Sequence, residues 1–384
     1  NGGVSDDIQL LNDNGSTKWY GDGAESKTLN ANWQKFRSDW VTPVPAAPFS
    51  MTMGGTGYDR ACSVVHTLGG GSIVVGTTSS TGAGMLDLWV CKLDGSGNVE
   101  WQRTYGGAEN DCFLDYACPP CVRQTPDGGY IVVTSTASFS AVDGDRDVWV
   151  LRLAGDGGIV WQKTYGGQKW DFGNAVAVCS DGSFVVGCTT LSFGPGQRNM
   201  WVLKLKADGT ILWQSVYSRR RQRPEWPYTD LGGIEEMAGG ELLVTDRASG
   251  YPCLLKLSSA GAVRWAIEYA GPNYYGSQNG VLPTSDGGCI VVSGNQECCV
   301  ERIDGDGKTV WRKTYVGAGR VGDDEMALLY ASGIDETPDK GYIVGTIGYS
   351  RPWGQSRTPL IQVLLRVDRD GDLVWGRSYK GVYS

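Results

Sequence analysis

The chain has 384 residues with 57 Gly, 15 Trp, 18 Tyr and 11 Cys, and its formal net charge at pH 7 is −8. Because 41% of the residues are hydrophobic and 10% are aromatic, the chain can bury a large core, which excludes a disordered polymer. The acidic balance disfavours a general nucleic-acid partner, no apolar run is long enough for a membrane span, and one histidine excludes a multi-histidine metal centre within one chain.

The N-terminal segment, residues 1–49, diverges from the rest of the chain. It begins Asn1-Gly2-Gly3, without a methionine, a basic region or an apolar stretch, and this start indicates a processed chain. Eleven cysteines are typical of a secreted protein, or of any protein from a hyperthermophile, and we expect an extracellular or cell-surface location. The odd number leaves at least one thiol free or bonded between chains.

From about residue 50 onward, one phrase recurs six times. Its first copy begins at Asp87-Leu-Trp89 and ends at Trp101-Gln-Arg-Thr-Tyr105. A second phrase, Asp127-Gly-Gly-Tyr130-Ile-Val-Val133 in its clearest copy, alternates with the first. The closing tryptophans lie 46–64 residues apart, at Trp101, Trp161, Trp213, Trp265, Trp311 and Trp375. The repeats are therefore about 50–102, 103–162, 163–214, 215–266, 267–312 and 313–376.

Each repeat predicts four short strands, a to d, in chain order. Strand a precedes the Asp-Gly-Gly turn, strand b is the Tyr-Ile-Val-Val run, strand c is Trp-Val-Leu-Lys-Leu, and strand d is Val-x-Trp-Gln-Lys-Thr-Tyr. Glycine supplies the positive φ of the tight turns between a and b and between c and d. Strands b and c are apolar on successive residues, which is typical of strands covered on both faces. The prediction is an all-β fold, a β-propeller of four-stranded antiparallel blades.

The number of blades depends on the two ends of the chain. Six complete repeats leave residues 1–49 and 377–384, which together approach one more repeat length. We favour seven blades in a single propeller over 1–384, with the last blade built from both ends. The alternative is six blades plus an N-terminal extension, which the proline-rich stretch 42–48 favours because proline is poor in strands.

The phrases ending in Thr104-Tyr-Gly-Gly107, together with the Asp127-Gly-Gly-Tyr-Ile-Val132 type, carry a resemblance. They resemble the repeats of secreted or cell-surface β-propeller proteins of bacteria and archaea, and more distantly those of quinoprotein-type propellers. The resemblance implies the fold over most of the chain. It implies no catalytic residues, because fold does not determine function.

Tryptophans outside the repeat positions and one basic run are the candidate interaction residues. Trp in a loop can stack on sugar rings or anchor a protein interface, although local packing is the alternative. The basic run lies where other repeats have Gly-Gly and fits an acidic neighbour or anionic glycan, with a solvated loop as the alternative. The candidates are Trp33, Trp40, Trp170, Arg219, Arg220, Arg221, Arg223, Trp226 and Trp353.

Two runs of alternating carboxylates are weak calcium candidates. Ca²⁺ prefers clustered oxygen ligands in loops, but neither run has the complete twelve-residue loop with its closing Glu, so acidic turns are the preferred interpretation. The candidates are Asp143, Asp145, Asp147, Asp368, Asp370 and Asp372. We otherwise expect no cofactor.

Five cysteines are disulfide candidates: Cys118, Cys121, Cys289, Cys298 and Cys299. The first two have the spacing of a redox motif but lie in or just before a strand, where a structural disulfide or buried thiols are expected. The vicinal pair is the feature that a quinone-cofactor dehydrogenase would need. It also occupies a strand c position, which favours core packing. The single histidine, His66, has no identifiable catalytic partners.

The sequence therefore favours a non-catalytic extracellular propeller that serves as a structural or interaction module. Variable inserts on a rigid frame suit a binding surface, and flat propeller faces suit self-assembly into a filament or surface layer. The expected partners are further copies of the chain or other surface proteins. A carbohydrate-binding, lectin-like propeller is the first alternative, and a quinone-cofactor dehydrogenase is the second.

Overall fold

A computed structural model describes residues 6–11, 35–37, 53–112, 119–195, 198–218, 230–246, 253–268, 276–293, 298–321, 324–350 and 361–380. All regular structure in these ranges is antiparallel β-strand, and no helix there could span a membrane. Strands are expected because the Val-, Ile- and Trp-rich runs are short and end at Asp-Gly turns.

The described strands comprise a short N-terminal pair and six sets of four. The N-terminal pair is β1 (Asp6–Leu11) and β2 (Lys35–Arg37). Blade 1 is β3 (Asp59–His66), β4 (Ser72–Thr78), β5 (Asp87–Leu93) and β6 (Val99–Tyr105). Blade 2 is β7 (Cys121–Gln124), β8 (Tyr130–Thr136), β9 (Asp147–Leu153) and β10 (Ile159–Tyr165). Blade 3 is β11 (Asp171–Val178), β12 (Phe184–Thr190), β13 (Asn199–Leu205) and β14 (Ile211–Tyr217).

The remaining three blades follow the same order. Blade 4 is β15 (Leu231–Glu236), β16 (Leu242–Asp246), β17 (Cys253–Leu257) and β18 (Val263–Glu268). Blade 5 is β19 (Gly276–Pro283), β20 (Cys289–Ser293), β21 (Cys298–Ile303) and β22 (Thr309–Val321). Blade 6 is β23 (Asp324–Glu336), β24 (Tyr342–Ser350), β25 (Ile361–Val367) and β26 (Leu373–Lys380). Each blade pairs its strands in chain order, and blades 5 and 6 join where β22 pairs with β23.

The preference for seven blades is wrong: the protein is an all-β propeller with six four-stranded blades. The expected seventh blade would join residues 1–49 to 377–384, but β26 already completes blade 6 up to Lys380. The N-terminal β1 instead pairs with the outer strand of blade 5, with Ile8 opposite Gly317. The physical reason is that β22 has 13 residues, long enough to pair with β21, β1 and β23 along its length.

Contacts divide the chain into two compact units. One unit contains 44–248 and 254–264, and it holds blades 1 to 3 and most of blade 4. The other contains 1–43, 249–253 and 265–384, and it holds blades 5 and 6 with β1 and β2.

The middle strands of the blades form the core of the first unit. Every residue of β8 and β9 is buried, whereas β10 alternates between exposed and half-buried positions until Tyr165. The side chains of Trp149 and Leu151 in blade 2 pack with Ile73 and Val90 of blade 1 in one apolar cluster. Successive blades therefore cover each other's faces, which explains why strands b and c are apolar on both sides.

The closing Trp and Tyr of strand d hold successive blades together in this unit. Trp161 Nε1 donates to the carbonyl of Ala207 at 2.9 Å, and the Tyr165 hydroxyl donates to the carbonyl of Gly209 at 2.6 Å. Gly209 must be glycine because its φ is +79° and a Cβ there would lie 3.1 Å from the Trp161 ring. Trp101 with Tyr105, and Trp213 with Tyr217, make equivalent bonds.

Candidate functional site

In blades 2 and 3 a phenylalanine from the loop between strands b and c covers the tryptophan of strand c. The ring centroids are 5.0 Å apart for Phe139 and Trp149, and 4.9 Å apart for Phe193 and Trp201. The two tryptophans are accordingly 1% and 2% exposed. In both blades the phenylalanine lies three residues after the threonine that ends strand b.

Among the residues that the structure describes, none covers the tryptophan of blade 1 in this way. Thr81 stands at the position of the two phenylalanines, three residues after Thr78, and its side chain is exposed. The tryptophan of strand c in this blade, Trp89, is half-buried, whereas Trp149 and Trp201 also pack against the blade that precedes them in the same unit. Trp89 lines a cavity of about 640 Å³. The corresponding cavity beside Trp149 in blade 2 is smaller, about 410 Å³. The cavity falls in the size range of small-molecule sites.

Strand d supplies one wall of this cavity with Gln102, Arg103 and Thr104. Trp89 Nε1 donates to Gln102 Oε1 at 3.3 Å, and this bond orients the indole across the sheet. Arg103 extends towards the next blade, where a Cβ at Gly157 would lie 3.0 Å from its Nε. Both Gln102 and Arg103 are exposed, so solvent reaches this wall.

A second arginine enters the cavity from strand a. Arg60 follows Asp59 at the start of β3 and is half-buried. The equivalent residues, which follow Asp111, Asp171 and Asp230, are apolar and buried at 0–3% exposure: Cys112, Phe172 and Leu231. A charged residue at this position is therefore particular to blade 1 among these four blades.

The one carboxylate in the cavity wall, Asp59, accepts hydrogen bonds from neighbouring residues of the protein. Asp59 accepts hydrogen bonds from the Ser80 hydroxyl at 2.7 Å, the Thr78 hydroxyl at 2.5 Å and the Gly55 N–H at 2.7 Å. These bonds, that from Ser80 most of all, hold the pKa of Asp59 below its ordinary value. A carboxylate held ionised in this way is unsuited to general acid catalysis at neutral pH. The arrangement is suited to binding.

The first unit also contains two pairs of buried aspartates that bring like charges close together. Asp147 at the start of β9 and Asp171 at the start of β11 are 3% and 0% exposed, and both face Gly166. Oδ1 of each accepts no hydrogen bond from the described part of the chain. Burial, Asp145 and Asp171 raise the pKa of Asp147, and hydrogen bonds from Ala141 and Ser140 only partly oppose this. Asp87 and Asp111 form the equivalent pair around Gly106.

At the equivalent place between blades 3 and 4, one aspartate is replaced by a neutral residue and the other is paired with an arginine. Asn199 replaces the first aspartate, and its Oδ1 accepts from the Ser218 hydroxyl at 2.7 Å. Arg198 Nη1 lies 3.2 Å from both carboxylate oxygens of Asp230. The comparison shows how blade 3 avoids the like-charge contact present in the first two copies.

Most of the candidate interaction residues lie outside the described part of the chain: Trp33, Trp40, Arg219, Arg220, Arg221, Arg223, Trp226 and Trp353. Trp170 is described and is 42% exposed. The Arg146 guanidinium lies 4.4 Å from the centroid of its ring, and Phe172 makes an edge contact at 6.2 Å. Local packing thus engages Trp170, and it lies outside the Trp89 cavity.

The calcium candidates do not form one site. Asp143 is exposed, Asp145 and Asp147 are buried, and Asp368 caps the β25–β26 turn by accepting from the N–H groups of Asp370 and Asp372. Asp372 also pairs with Lys313 at 2.8 Å. Over the ranges that the structure covers, no three His, Cys, Asp or Glu side chains converge as a metal site would require.

The structure does not support the predicted disulfides. Cys121, Cys289, Cys298 and Cys299 are buried and form no disulfide within the described residues, and Cys118 lies outside those residues. Cys298 and Cys299 occupy successive positions of β21, so their side chains point to opposite faces of the sheet. Burial raises the pKa of both thiols. The quinone-cofactor alternative thereby loses the vicinal disulfide on which it depended.

The sequence analysis missed Arg60, Thr81 and Trp89 as site residues. Trp89 was assigned to the core because it matches Trp149 and Trp201 in the repeat. The signal was present in the loop before strand c, where Ser80-Thr81 aligns with Ser138-Phe139 and Ser192-Phe193. The signal is a departure from the repeat within a repeat position, whereas the interaction candidates lie outside the repeat positions.

The sequence matches no protein-family model and no curated protein. Among solved structures, a protein from Lactobacillus plantarum is 14% identical with a TM-score of 0.48, covering 79% of this chain and 80% of that one. A protein of unknown function from Bacteroides caccae is 13% identical with a TM-score of 0.46, covering 78% and 92%. The Dos1 propeller is 10% identical with a TM-score of 0.40, covering 83% and 86%. These similarities are too low to support an inference, so the fold assignment rests on the strand pairing.

Proposed function

We propose that the protein is a non-catalytic extracellular β-propeller, an interaction module that receives its ligand in the Trp89 cavity. The observation that carries this proposal is that blade 1 has Thr81 where blades 2 and 3 have the phenylalanine that covers the tryptophan of strand c. The surrounding strands are packed on their other faces, so the cavity is held open by a rigid frame. The residues that line it offer an aromatic face and polar groups, which suits binding.

The test is to close the cavity with the ring that the other blades use. Thr81→Phe restores the phenylalanine found at positions 139 and 193, and it is expected to abolish binding while the fold is retained. The probe is a printed array of neutral, amino and acidic glycans together with peptides, read with the labelled wild-type and variant proteins. Thr210→Phe is the control, because it places the same ring at an exposed turn of blade 3. If no probe distinguishes wild type from Thr81→Phe, the proposal is wrong.

Self-assembly into a filament or surface layer is a second part of the proposal. The outer strands of the blades expose apolar side chains to solvent near their starts, and such surfaces favour association. They are Val99, Val160, Leu212, Val263, Val310 and Val374. Negative-stain electron microscopy across a concentration series is expected to show ordered rods at the higher concentrations. Isolated particles at every concentration would contradict self-assembly and leave the cavity proposal intact.

A further inference from the structure

The geometry points to one end of blades 1 to 3 as the surface on which two copies of the chain meet, with the basic run 219–223 of one copy bound to an apolar, acidic patch of the other. The inference rests on the proposed self-assembly and names the surface that mediates it. It starts from one juxtaposition: exposed apolar and aromatic side chains lie beside a concentration of carboxylates.

The patch lies at the loop end of the blades, where strands b and d finish and strands a and c begin. Asn110 Nδ2 lies 3.8 Å from Met85 Sδ, which connects blade 1 to the start of blade 2. The carbonyl of Asn110 accepts from the N–H of Ala137, two residues before Phe139. The apolar members are 38–61% exposed, so the single chain leaves them uncovered. The loop-end patch consists of Met85, Asn110, Phe139, Val142 and Trp170.

The composition of the patch is that of a protein interface, where aromatic residues and methionine are enriched. Within the described residues, the exposed aromatic rings of Tyr58, Phe139 and Trp170 all lie at the loop end. The patch already holds one arginine on an aromatic ring, because the Arg146 guanidinium lies 4.4 Å from the centroid of the Trp170 ring. Guanidinium groups of a partner can stack on exposed rings in the same way.

Carboxylates predominate around the patch. Glu109 and Asp143 are exposed beside Asn110 and Val142. The negative potential of such a cluster attracts a basic segment and disfavours an acidic one. The buried carboxylates of the same loop end are Asp87, Asp111, Asp145, Asp147 and Asp171, and its basic side chains are Arg146 and Lys169.

The place between blades 3 and 4 shows how the fold accommodates an arginine at this end. Arg198 Nη1 lies 3.2 Å from both carboxylate oxygens of Asp230. Blade 1 has Leu86 at the position of Arg198, so the aspartate pair between blades 1 and 2 receives no arginine from that position. Oδ1 of Asp87 in this pair accepts no hydrogen bond from the described part of the chain. An arginine from a partner would supply the missing positive charge.

The chain itself carries a segment of the required chemistry. Its basic run reads Arg219-Arg-Arg-Gln-Arg223 in a protein of net charge −8. The run follows Ser218 in the connection from β14 to β15, and the two strand ends that it connects both lie at the loop end. A contact between the run of one copy and the patch of another therefore brings two copies together loop end to loop end, as a twofold pair in which each contributes a run and a patch.

The experiment is sedimentation velocity over a concentration series with two variants of the full chain. The patch variant combines Glu109→Lys with Asp143→Lys, and the run variant replaces the four arginines of 219–223 with glutamine. We expect each variant to raise the dissociation constant of the pair at least about tenfold, and high salt to weaken the wild-type pair. Asp306→Lys with Asp370→Lys, at exposed turns, makes the charge change of the patch variant and is the matched control.

Mixing the two variants tests whether run and patch meet across copies. The patch variant retains its run and the run variant retains its patch, so the equimolar mixture is expected to associate more tightly than either variant alone. A mixture that associates no better than its components overturns the inference, because the run then does not bind the patch of another copy. Circular dichroism and melting temperature verify that each variant is folded.

The remaining outcomes separate this contact from self-assembly as such. Wild-type association that neither variant weakens overturns the inference and leaves the self-assembly proposal standing. No association of the wild-type protein at any concentration overturns both. Binding in the Trp89 cavity is tested independently by Thr81→Phe, because that position lies outside the loop-end patch.

Discussion

At the scale of single residues, tyrosine side chains of strand d connect successive blades of the first unit by hydrogen bonds. Tyr105, Tyr165 and Tyr217 each donate a hydrogen bond of 2.6 Å to a turn glycine of the following blade. Burial raises the pKa of all three hydroxyls, of Tyr105 to about 12. They therefore remain neutral donors across the physiological range. Each repeat thus carries its own connection to the next.

We predict that Tyr165→Phe lowers the free energy of unfolding by about 1 kcal/mol, because a buried hydrogen bond is lost while the ring is kept. Urea unfolding followed by circular dichroism measures this change. Tyr58→Phe is the control, since that ring is 46% exposed. An equal effect of the two substitutions would contradict the role assigned to the Tyr165 hydroxyl.

At the scale of the strand and its turns, charged side chains stabilise some contacts between neighbouring elements and destabilise others. A basic residue in strand c reaches the acidic turn between strands a and b in several blades, as Lys204 reaches Asp181 at 3.1 Å in blade 3. Arg152 with Asp127, and Arg366 with Asp339, repeat the arrangement. The carboxylate pairs at the starts of strands do the opposite, because they bring like charges together in a buried place.

Asp181, in the turn between strands a and b of blade 3, stabilises the fold when it is ionised, and this stabilisation is lost at low pH. The Ser183 hydroxyl, the Ser183 N–H and Lys204 lower the pKa of Asp181 to about 2 from an ordinary value of 3.8. Because the folded state holds the proton less tightly, this contribution is present above about pH 4 and is lost as the pH falls towards 2. Asp181→Asn is therefore expected to lower the urea midpoint at pH 7, with a difference that shrinks at pH 2. A difference that does not change with pH would contradict this assignment.

The buried Asp147 makes stability depend on pH in the opposite direction to Asp181. Because burial and its acidic neighbours raise the pKa of Asp147 in the folded state, its ionisation costs stability as the pH rises above its ordinary value of 3.8. Asp147→Asn, which copies Asn199 of the next blade, is expected to raise the urea midpoint at pH 7 and to leave it unchanged at pH 3. Asp143→Asn, at an exposed position on the same loop, is the control. A lower midpoint for Asp147→Asn at pH 7 would show that the pair stabilises the fold.

At the scale of the whole molecule, the described blades are held together by packing and hydrogen bonds. None of the ten described cysteines is in a disulfide, and all but Cys62 are buried. Burial raises the pKa of Cys112 to about 12 and of Cys179 to about 11, so these thiols are neither nucleophilic nor easily oxidised. In the described blades they serve as small apolar side chains.

We predict that the melting temperature is the same with and without a reducing agent. A disulfide in a secreted protein typically contributes several kcal/mol, so its reduction would lower the melting temperature by many degrees. Differential scanning calorimetry with and without dithiothreitol measures the difference. A large decrease on reduction would show that a disulfide forms in the native protein.

The sequence alone determined the strands and their turns. The order of four strands per repeat, the Asp-Gly turns and the structural Trp and Tyr positions all follow from patterns within about 55 residues, because burial and turn geometry act locally. The tertiary structure decided the rest. The partner of β1 is β22, more than 300 residues away, and no local pattern encodes that pairing, so the six repeats of the sequence left both six and seven blades open. The Trp89 cavity likewise depends on tertiary contacts, because the tryptophans of blades 2 and 3 are covered by a loop phenylalanine and by the preceding blade.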